Sequence, residues 1–71
     1  MDSVIIFGKN TCPFTTAARE AYTAAGKGVI YHDVLSDPAK LEEMLRYSFG
    51  DRRVPVIVEQ GKVTIGHHGK T

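Results

Sequence analysis

The sequence predicts a small α/β domain with the element order β-α-β-α-β-β, a four-stranded mixed sheet packed with helices. Short runs of β-branched residues alternate with segments in which apolar residues recur every three or four positions. The first strand, helix and second strand follow at the spacing of a right-handed βαβ unit, which pairs its strands in parallel. A tight turn near the end joins the last two strands into an antiparallel hairpin. With 71 residues, the chain is expected to form one domain over residues 1–71.

The composition is typical of a soluble globular domain, with 42% hydrophobic and 24% charged residues. A chain of this size buries only about 60–65% of its unfolded surface, so its stability is expected to be modest. The net charge of +1, without a basic stripe, argues against nucleic-acid and membrane-surface partners. The single cysteine excludes an internal disulfide, so packing alone must hold the fold.

The start of the chain carries no recognisable targeting segment. Asp2 follows the first residue, and the first apolar run is too short for a signal peptide or a membrane span. A lone cysteine without an export signal indicates the cytoplasm. We expect the domain to act there as a monomer.

The first strand is predicted from Ser3 to Phe7, because a continuous β-branched and aromatic run suits a strand covered on both faces. The helix that follows begins at Pro13, since the first helical position has no use for a backbone N–H. Gly26 supplies the left-handed residue that ends it. The predicted apolar face of this helix consists of Phe14, Ala17, Ala18, Ala21, Tyr22 and Ala25.

The second strand is predicted from Val29 to Val34. The second helix begins at Pro38, with Asp37 as its N-cap, and Gly50 is expected to end it. The buried face of this helix is predicted to consist of Leu41, Met44, Leu45 and Ser48.

The third strand is predicted from Val54 to Val58, with a proline near its entry, where strands tolerate one. A turn at residues 59–62 leads into a fourth strand from Val63 to Ile65. Residues 66–69 are expected to form a loop.

The only cysteine, Cys12, lies where the first strand gives way to the first helix. A sulfur at a helix N-cap is close to unsatisfied backbone N–H groups and to the positive end of the helix dipole, and both favour the thiolate. We therefore expect an exposed nucleophile whose pKa is lowered from about 8.5 into the range of roughly 3.5–7.5. The alternative is a buried structural cysteine, the commoner role of a lone cysteine. The position between a strand end and a Cys-Pro helix start favours the nucleophile.

Three sequence markers occur in the order in which the glutaredoxin family has them. They are Cys12-Pro13-Phe14-Thr15 after the first strand, Val54-Pro55 before the third, and Gly66 after the fourth. The chain thus resembles the glutaredoxin branch of the thioredoxin-like superfamily over nearly its whole length. This resemblance implies a thioredoxin-like fold and a thiol–disulfide oxidoreductase in which Cys12 attacks disulfides and glutathione is the co-substrate. The chain also resembles short bacterial glutaredoxin-like proteins that carry selenocysteine in place of the cysteine.

The resemblance further implies a substrate groove around Cys12. Pro55, which by itself would only start a strand, is expected to be cis and to shape this groove, while the backbone of Val54 pairs with glutathione. Lys9 is expected to stabilise the thiolate and to bind a carboxylate. The other residues implied at the site are Arg53 and, less strongly, Arg52 as carboxylate ligands, Pro13, Phe14 and Gly66 as substrate-binding residues, and Thr15, whose hydroxyl would assist the thiolate.

The chain departs from the family pattern at several places. Thr15 stands where dithiol glutaredoxins have their resolving cysteine, which implies a monothiol mechanism, whereas Pro13 stands where monothiol relatives with Cys-Gly-Phe-Ser have glycine. The family's double glycine and following acid appear here as Gly66-His67-His68-Gly69, which removes an expected contact to the γ-glutamyl end of glutathione. Glutaredoxins usually continue with another helix beyond the position of Thr71, so that helix is expected to be absent.

The leading hypothesis is monothiol exchange on glutathione mixed disulfides. The alternatives are a [2Fe–2S] carrier in the form of a glutathione-bridged dimer, a peroxide-reducing relative of the selenoproteins, and a redox-inert interaction module. His67 and His68, with His32, are weak candidates for metal ligands, because a real site needs three or four convergent ligands. No metal is therefore expected.

Overall fold

The computed structural model describes residues 3–71, which form six elements around one sheet. The strands are β1 (Ser3–Gly8), β2 (Gly28–Asp33), β3 (Val56–Glu59) and β4 (Lys62–Ile65), and the helices are α1 (Pro13–Ala24) and α2 (Pro38–Ser48). The predicted element order and the four-stranded mixed sheet are confirmed. Within residues 3–71, no helix has the length and apolar character needed to cross a membrane.

The sheet has the strand order β2-β1-β3-β4 and brings two loops to one edge. β1 pairs in parallel with β2, as the βαβ spacing predicted, and β3 runs antiparallel to β1 with Val56 opposite Phe7. The carboxyl end of β1 and the amino end of β3 therefore meet at the same edge. This register places the loop that holds Cys12 next to the segment that holds Val54 and Pro55.

Alternating side chains of the strands build a separate core on each face of the sheet. On the α1 face, Ala18 packs with the buried strand residues Val4, Ile6 and Ile57. The core on the α2 face consists of Phe7, Val34, Met44, Val54, Val56 and Val58. Each such side chain contributes about 1.5–3 kcal/mol when fully buried, so this short chain depends on covering both faces.

The buried side of α1 differs from the predicted apolar face. Thr15 and Ala18 are its buried residues, whereas Ala21 and Ala25 are exposed and Phe14 is only half-buried. The physical reason lies in β1, where Gly8 has no Cβ and leaves room for the Thr15 side chain. The helix therefore rests on the sheet through Thr15 and two residues of the predicted face, Ala18 and the half-buried Tyr22.

The capping of α2 agrees with the prediction at its start and differs at its end. The Asp37 carboxylate accepts hydrogen bonds from the backbone N–H groups of Ala39 and Lys40 (3.2 and 3.4 Å). At the other end, the first left-handed residue is Phe49 (φ 56°), and Gly50 (φ 87°) is the second. Gly50 alone was the predicted stop, but the N–H groups of both residues reach the Leu45 carbonyl. For both N–H groups to reach one carbonyl, the left-handed turn has to begin at Phe49, one residue before the predicted Gly50.

The last two strands form the predicted hairpin, with a left-handed Gln60 and Gly61 at its turn. β3 begins at Val56 instead of Val54, because Pro55 has no N–H for the ladder. The Val54–Pro55 peptide bond is cis, as the resemblance implied. After β4, the described residues 66–71 form a turn closed by mutual backbone hydrogen bonds between His67 and Lys70, and no helix.

Candidate active site

Cys12 occupies the N-cap of α1, as its place in the sequence predicted. Its backbone is extended (φ −90°, ψ 116°), its N–H donates to the Lys9 carbonyl (3.0 Å), and its carbonyl accepts from the N–H groups of Thr15 and Thr16 (3.1 and 3.2 Å). The side chain is half-buried and packs on the border of the core on the α2 face. The sulfur is therefore held by the end of the helix and remains accessible.

The surroundings of Cys12 favour its thiolate. Burial raises the pKa of the thiol, but the Thr15 hydroxyl, the backbone N–H groups of Thr15 and Phe14, and the charge of Lys9 all lower it. The lowering contributions outweigh burial, so the pKa of Cys12 lies below its ordinary value. A larger thiolate fraction at neutral pH is what thiol–disulfide exchange needs.

Thr15 is fully buried, and its hydroxyl has no hydrogen-bond partner of regular geometry within residues 3–71. Its interaction with the Cys12 sulfur is the largest of the contributions that lower the pKa of the thiol. A Cβ at Gly8 would lie 2.3 Å from Thr15 Cγ2 and 2.6 Å from Oγ1, so only glycine allows this packing. Sequence reasoning did not single out Gly8; a glycine at the end of a buried strand, just before the cysteine loop, was the available signal.

A groove with a volume of about 440 Å³ opens beside Cys12. It brings together Lys9, Arg53 and Val54 from the predicted site, as well as Arg52, and its remaining lining residue is Thr71. A larger groove of about 620 Å³ lies between α1 and β2, with Thr16, Arg19 and Tyr31 in its lining, and it holds no cysteine. The smaller groove is therefore the candidate site, because it brings the cysteine together with cationic side chains.

Arg53 is engaged by a neighbouring carboxylate. Its Nε lies 3.1 Å from both oxygens of Asp51, its Nη2 lies 2.6 Å from Oδ2, and its backbone N–H donates to Oδ1 (2.9 Å). The Arg53 side-chain and backbone hydrogen bonds lower the pKa of Asp51 to about 2. This pair fixes the guanidinium at the rim of the groove, and 66% of the Arg53 side chain stays exposed. Sequence reasoning did not identify Asp51.

Val54 and Pro55 are both buried, with Val54 in the lining of the groove, and the start of the last loop supports Pro55. The Gly66 N–H donates to the Pro55 carbonyl (2.6 Å). Gly66 has φ 89°, and a Cβ there would lie 2.9 Å from the Lys70 carbonyl oxygen. The structure thus places Gly66 under Pro55 and outside the lining of the Cys12 groove.

The remaining predicted residues lie close to Cys12 in the chain. Pro13 is exposed at the first position of α1 and Phe14 is half-buried at the second, and neither lines the groove.

The rings of His67 and His68, the weak candidates for metal ligands, lie 4.2 Å apart. No three His, Cys, Asp or Glu side chains of the described chain lie together in a way that suits a metal ion.

A residue of β2 holds the loop that carries Cys12. The Tyr31 hydroxyl donates to Asn10 Oδ1 (2.7 Å), and the Arg19 guanidinium lies 3.9 Å from the centre of the Tyr31 ring. Burial, then the charges of Asp33 and Cys12, raise the pKa of Tyr31 against the opposing effect of Arg19, so the phenol keeps its proton. Sequence reasoning missed this contact, because it joins residues 21 positions apart.

Comparison with known proteins connects this chain to a family. The chain matches the family model described as Glutaredoxin over residues 4–64. A glutaredoxin from Archaeoglobus fulgidus superposes with a TM-score of 0.72 at 26% identity, and the match covers 94% of this chain and 77% of the other. Glutaredoxin 1 from Francisella tularensis, complexed with cacodylate, has a TM-score of 0.64 at 21% identity, with 93% and 84% covered, which supports the fold. Comparison with curated protein sequences found no significant match.

Proposed function

This chain belongs to the glutaredoxin family of thiol–disulfide oxidoreductases, and we propose that it reduces glutathione mixed disulfides by a monothiol mechanism with Cys12 as nucleophile. The observation that supports this most strongly is the lowered pKa of a lone cysteine in a groove lined by cationic side chains. Thr15, where dithiol relatives have a second cysteine, leaves Cys12 without an internal resolving thiol.

The proposed reaction has two exchange steps. The Cys12 thiolate attacks the glutathione sulfur of a mixed disulfide, a new S–S bond to glutathione forms, and the substrate sulfur leaves and takes up a proton. A second glutathione, as its thiolate, then attacks the glutathione sulfur on Cys12, which releases oxidised glutathione and restores the Cys12 thiolate. The net result is that the mixed disulfide and one free glutathione become the substrate thiol and oxidised glutathione, so the free glutathione takes the place of the substrate sulfur in the disulfide bond.

The groove residues have separate roles in this proposal. Lys9 stabilises the thiolate by its charge and, together with Arg53, attracts the carboxylates of glutathione. The backbone of Val54 pairs with the cysteine residue of glutathione, and Pro55 shapes the floor beneath it. Pro13 and Phe14 border the approach to the sulfur, the Thr15 hydroxyl stabilises the thiolate, and Gly66 supports Pro55 through its N–H.

Mass spectrometry after incubation with oxidised glutathione tests the site and the co-substrate. We expect one glutathione adduct on Cys12 that reduced glutathione removes, together with turnover of the mixed disulfide of glutathione and cysteamine. The Cys12→Ser variant should show neither. Turnover by Cys12→Ser equal to that of the unmodified protein would refute the proposal.

We also propose that the protein acts in the cytoplasm as a monomer. Its lone cysteine favours a reducing compartment, and the proposed exchange needs no second subunit. Sedimentation of the protein with and without glutathione tests the monomer, and a stable dimer that forms with glutathione and iron would instead favour the cluster carrier.

A further inference from the structure

Phe49 combines two features that are unusual for a phenylalanine. With 97% of its surface open, it is the most exposed of the large apolar side chains that the structure describes. It also holds a left-handed backbone conformation (φ 56°, ψ 42°), which bulky residues rarely adopt and which glycine or asparagine usually fills at a helix end. The ring buries almost nothing and the backbone conformation is unfavourable. The side chain is therefore available for a contact outside this chain.

Phe49 lies close enough to the groove for one partner to contact both. Three peptide units separate it from Arg52, which lines the groove, so their Cα atoms are at most about 11 Å apart. The turn between them is held in place, because Ser48 Oγ donates to the Asp51 carbonyl (2.7 Å) and the Gly50 N–H to the Leu45 carbonyl (2.9 Å). A standard interface covers about 800 Å² on each partner, a disc about 32 Å across, which includes Phe49 and Cys12 together.

The two arginines that flank Phe49 in the chain, Arg46 and Arg52, form no ion pair within residues 3–71, although Glu42 and Glu43 line one groove with Arg46. Arg46 in the last turn of α2 and Arg52 are exposed on either side of it in the chain, and Lys9 lines the groove beyond. The single acid between Arg46 and Arg53 in the sequence is Asp51, whose carboxylate already holds Arg53. The exposed Phe49 ring, flanked in the chain by two arginines without ion pairs, is complementary to an apolar side chain flanked by carboxylates.

We propose that Phe49, Arg46 and Arg52 form a docking patch for protein substrates whose glutathionylated cysteine is accompanied by an apolar side chain and carboxylates. This inference rests on the proposed function and specifies its substrate class. Phe49 packs against the apolar side chain of the partner, and the two arginines attract its carboxylates. The mixed disulfide is then presented to Cys12 without a change in the exchange chemistry.

Three glutathionylated peptides test the patch. The first carries a leucine and two glutamates beside the cysteine, the second has lysines for the glutamates, and the third has serine for the leucine. We expect the first peptide to have the highest kcat/KM, and Phe49→Gly, which suits the left-handed backbone, to lower that value about tenfold. Turnover of the glutathione–cysteamine disulfide should stay within about twofold, since this small substrate has neither an apolar side chain to pack on Phe49 nor flanking residues.

Two further variants separate the apolar and charged contributions. Val63→Thr removes another exposed apolar side chain, 37% open, in β4, and should change the turnover of neither substrate. Arg46→Gln should reduce the preference for glutamate over lysine peptides and its dependence on ionic strength. Equal turnover of the three peptides, or equal loss by Phe49→Gly on peptide and small substrate, would overturn the docking patch.

A binding measurement judges the patch independently of catalysis. The first peptide, with serine in place of its cysteine, should shift NMR signals around Phe49 in the unmodified protein and not in Phe49→Gly. Failure to turn over the small substrate would refute the proposed function, whereas absence of these shifts would refute the docking patch. Self-association that Phe49→Gly abolishes would assign the surface to a second copy of the chain and would also overturn the proposal.

Discussion

At the scale of single residues, the reactivity of this domain depends on how Thr15 and Cys12 share the first turn of α1. The hydroxyl of Thr15 is fully buried and lacks a partner of regular geometry in the described chain, apart from its interaction with the sulfur. A buried hydroxyl without a good partner costs about 1–3 kcal/mol. Under the proposed function, the buried hydroxyl of Thr15 serves to stabilise the thiolate, because it contributes no good hydrogen bond to the fold.

We predict that Thr15→Val raises the pKa of Cys12 and leaves the fold intact. Valine keeps the shape of threonine and removes the hydroxyl that lowers the pKa of the thiol. The midpoint of a pH series of iodoacetamide alkylation rates should move upward, while the free energy of unfolding stays unchanged or rises by about 1 kcal/mol. Thr16→Val, one position along on the exposed side, is the matched control. An unchanged midpoint in Thr15→Val would contradict the assigned role.

The same pKa shift predicts how stability depends on pH. Because the pKa of Cys12 is lower in the folded than in the unfolded chain, the thiolate contributes stability that is fully present above the unfolded pKa. That contribution is lost as the pH falls through the folded pKa. The difference in unfolding free energy between the unmodified protein and Cys12→Ser, measured by urea titration, should therefore be larger at alkaline pH than at about pH 5. A difference that does not vary with pH would argue against a stabilised thiolate.

At the scale of secondary-structure elements, the contact of α1 with β1 depends on the missing side chain of Gly8. A methyl group there would lie 2.3 Å from Thr15 Cγ2, which is a severe steric overlap with the Thr15 side chain. We predict that Gly8→Ala lowers the free energy of unfolding by about 1–3 kcal/mol and raises the pKa of Cys12, because the start of α1 must move.

The double variant Gly8→Ala/Thr15→Ala tests the cause of that loss. Removing the Thr15 methyl and hydroxyl makes room for the new methyl, so the two substitutions should couple by more than about 0.5 kcal/mol. Additive effects of the two changes in urea unfolding would show that Gly8 acts in some other way.

The loop between β1 and α1 depends on β2 through Tyr31. We predict that Tyr31→Phe, which keeps the ring beneath Arg19 and removes the bond to Asn10, lowers stability by about 0.5–1.5 kcal/mol and alters the pH profile of Cys12 alkylation. Asn10→Ala should have the same effect, and the double variant should add little further. Tyr22→Phe serves as the control on the same face of the sheet. Equal effects of Tyr31→Phe and Tyr22→Phe would contradict a specific role for the Asn10 bond.

At the scale of the whole molecule, two small cores on opposite faces of one sheet stabilise a chain with a single cysteine. Met44 is the fully buried residue of α2, and it belongs to the same core as Phe7 of β1 and Val56 of β3. A domain of this size has a total stability near the low end of about 5–15 kcal/mol. The free energy lost with one such side chain is therefore a large fraction of the total stability.

We predict that Met44→Ala lowers the unfolding free energy by about 2–5 kcal/mol and leaves a fraction of the molecules unfolded at 37 °C. Urea titration with fixed m-value measures the loss. Glu42→Ala, on the exposed side of the same helix, should stay within about 0.5 kcal/mol. A loss below 1 kcal/mol in Met44→Ala would mean that α2 contributes little to the fold.

Several features were predictable from the sequence because they depend on near neighbours in the chain. The position of Cys12 at a helix N-cap, the Asp37 cap and the turn at Gln60 and Gly61 each depend on residues within one turn of one another. The element order and the parallel pairing of β1 with β2 follow from strand and helix periodicity. The missing second cysteine is a plain property of the composition.

Contacts between distant residues were decided only by the tertiary structure. The burial of Thr15 against Gly8, the bond from Tyr31 to Asn10 and the support of Pro55 by Gly66 each join different elements or loops. Periodicity could not place them, because it reports which side of an element is apolar and not which atoms meet it across space. The position of Cys12 at the N-cap of α1 was thus determined by its neighbours in the sequence. The groove around it exists because the sheet register brings separate loops to one edge.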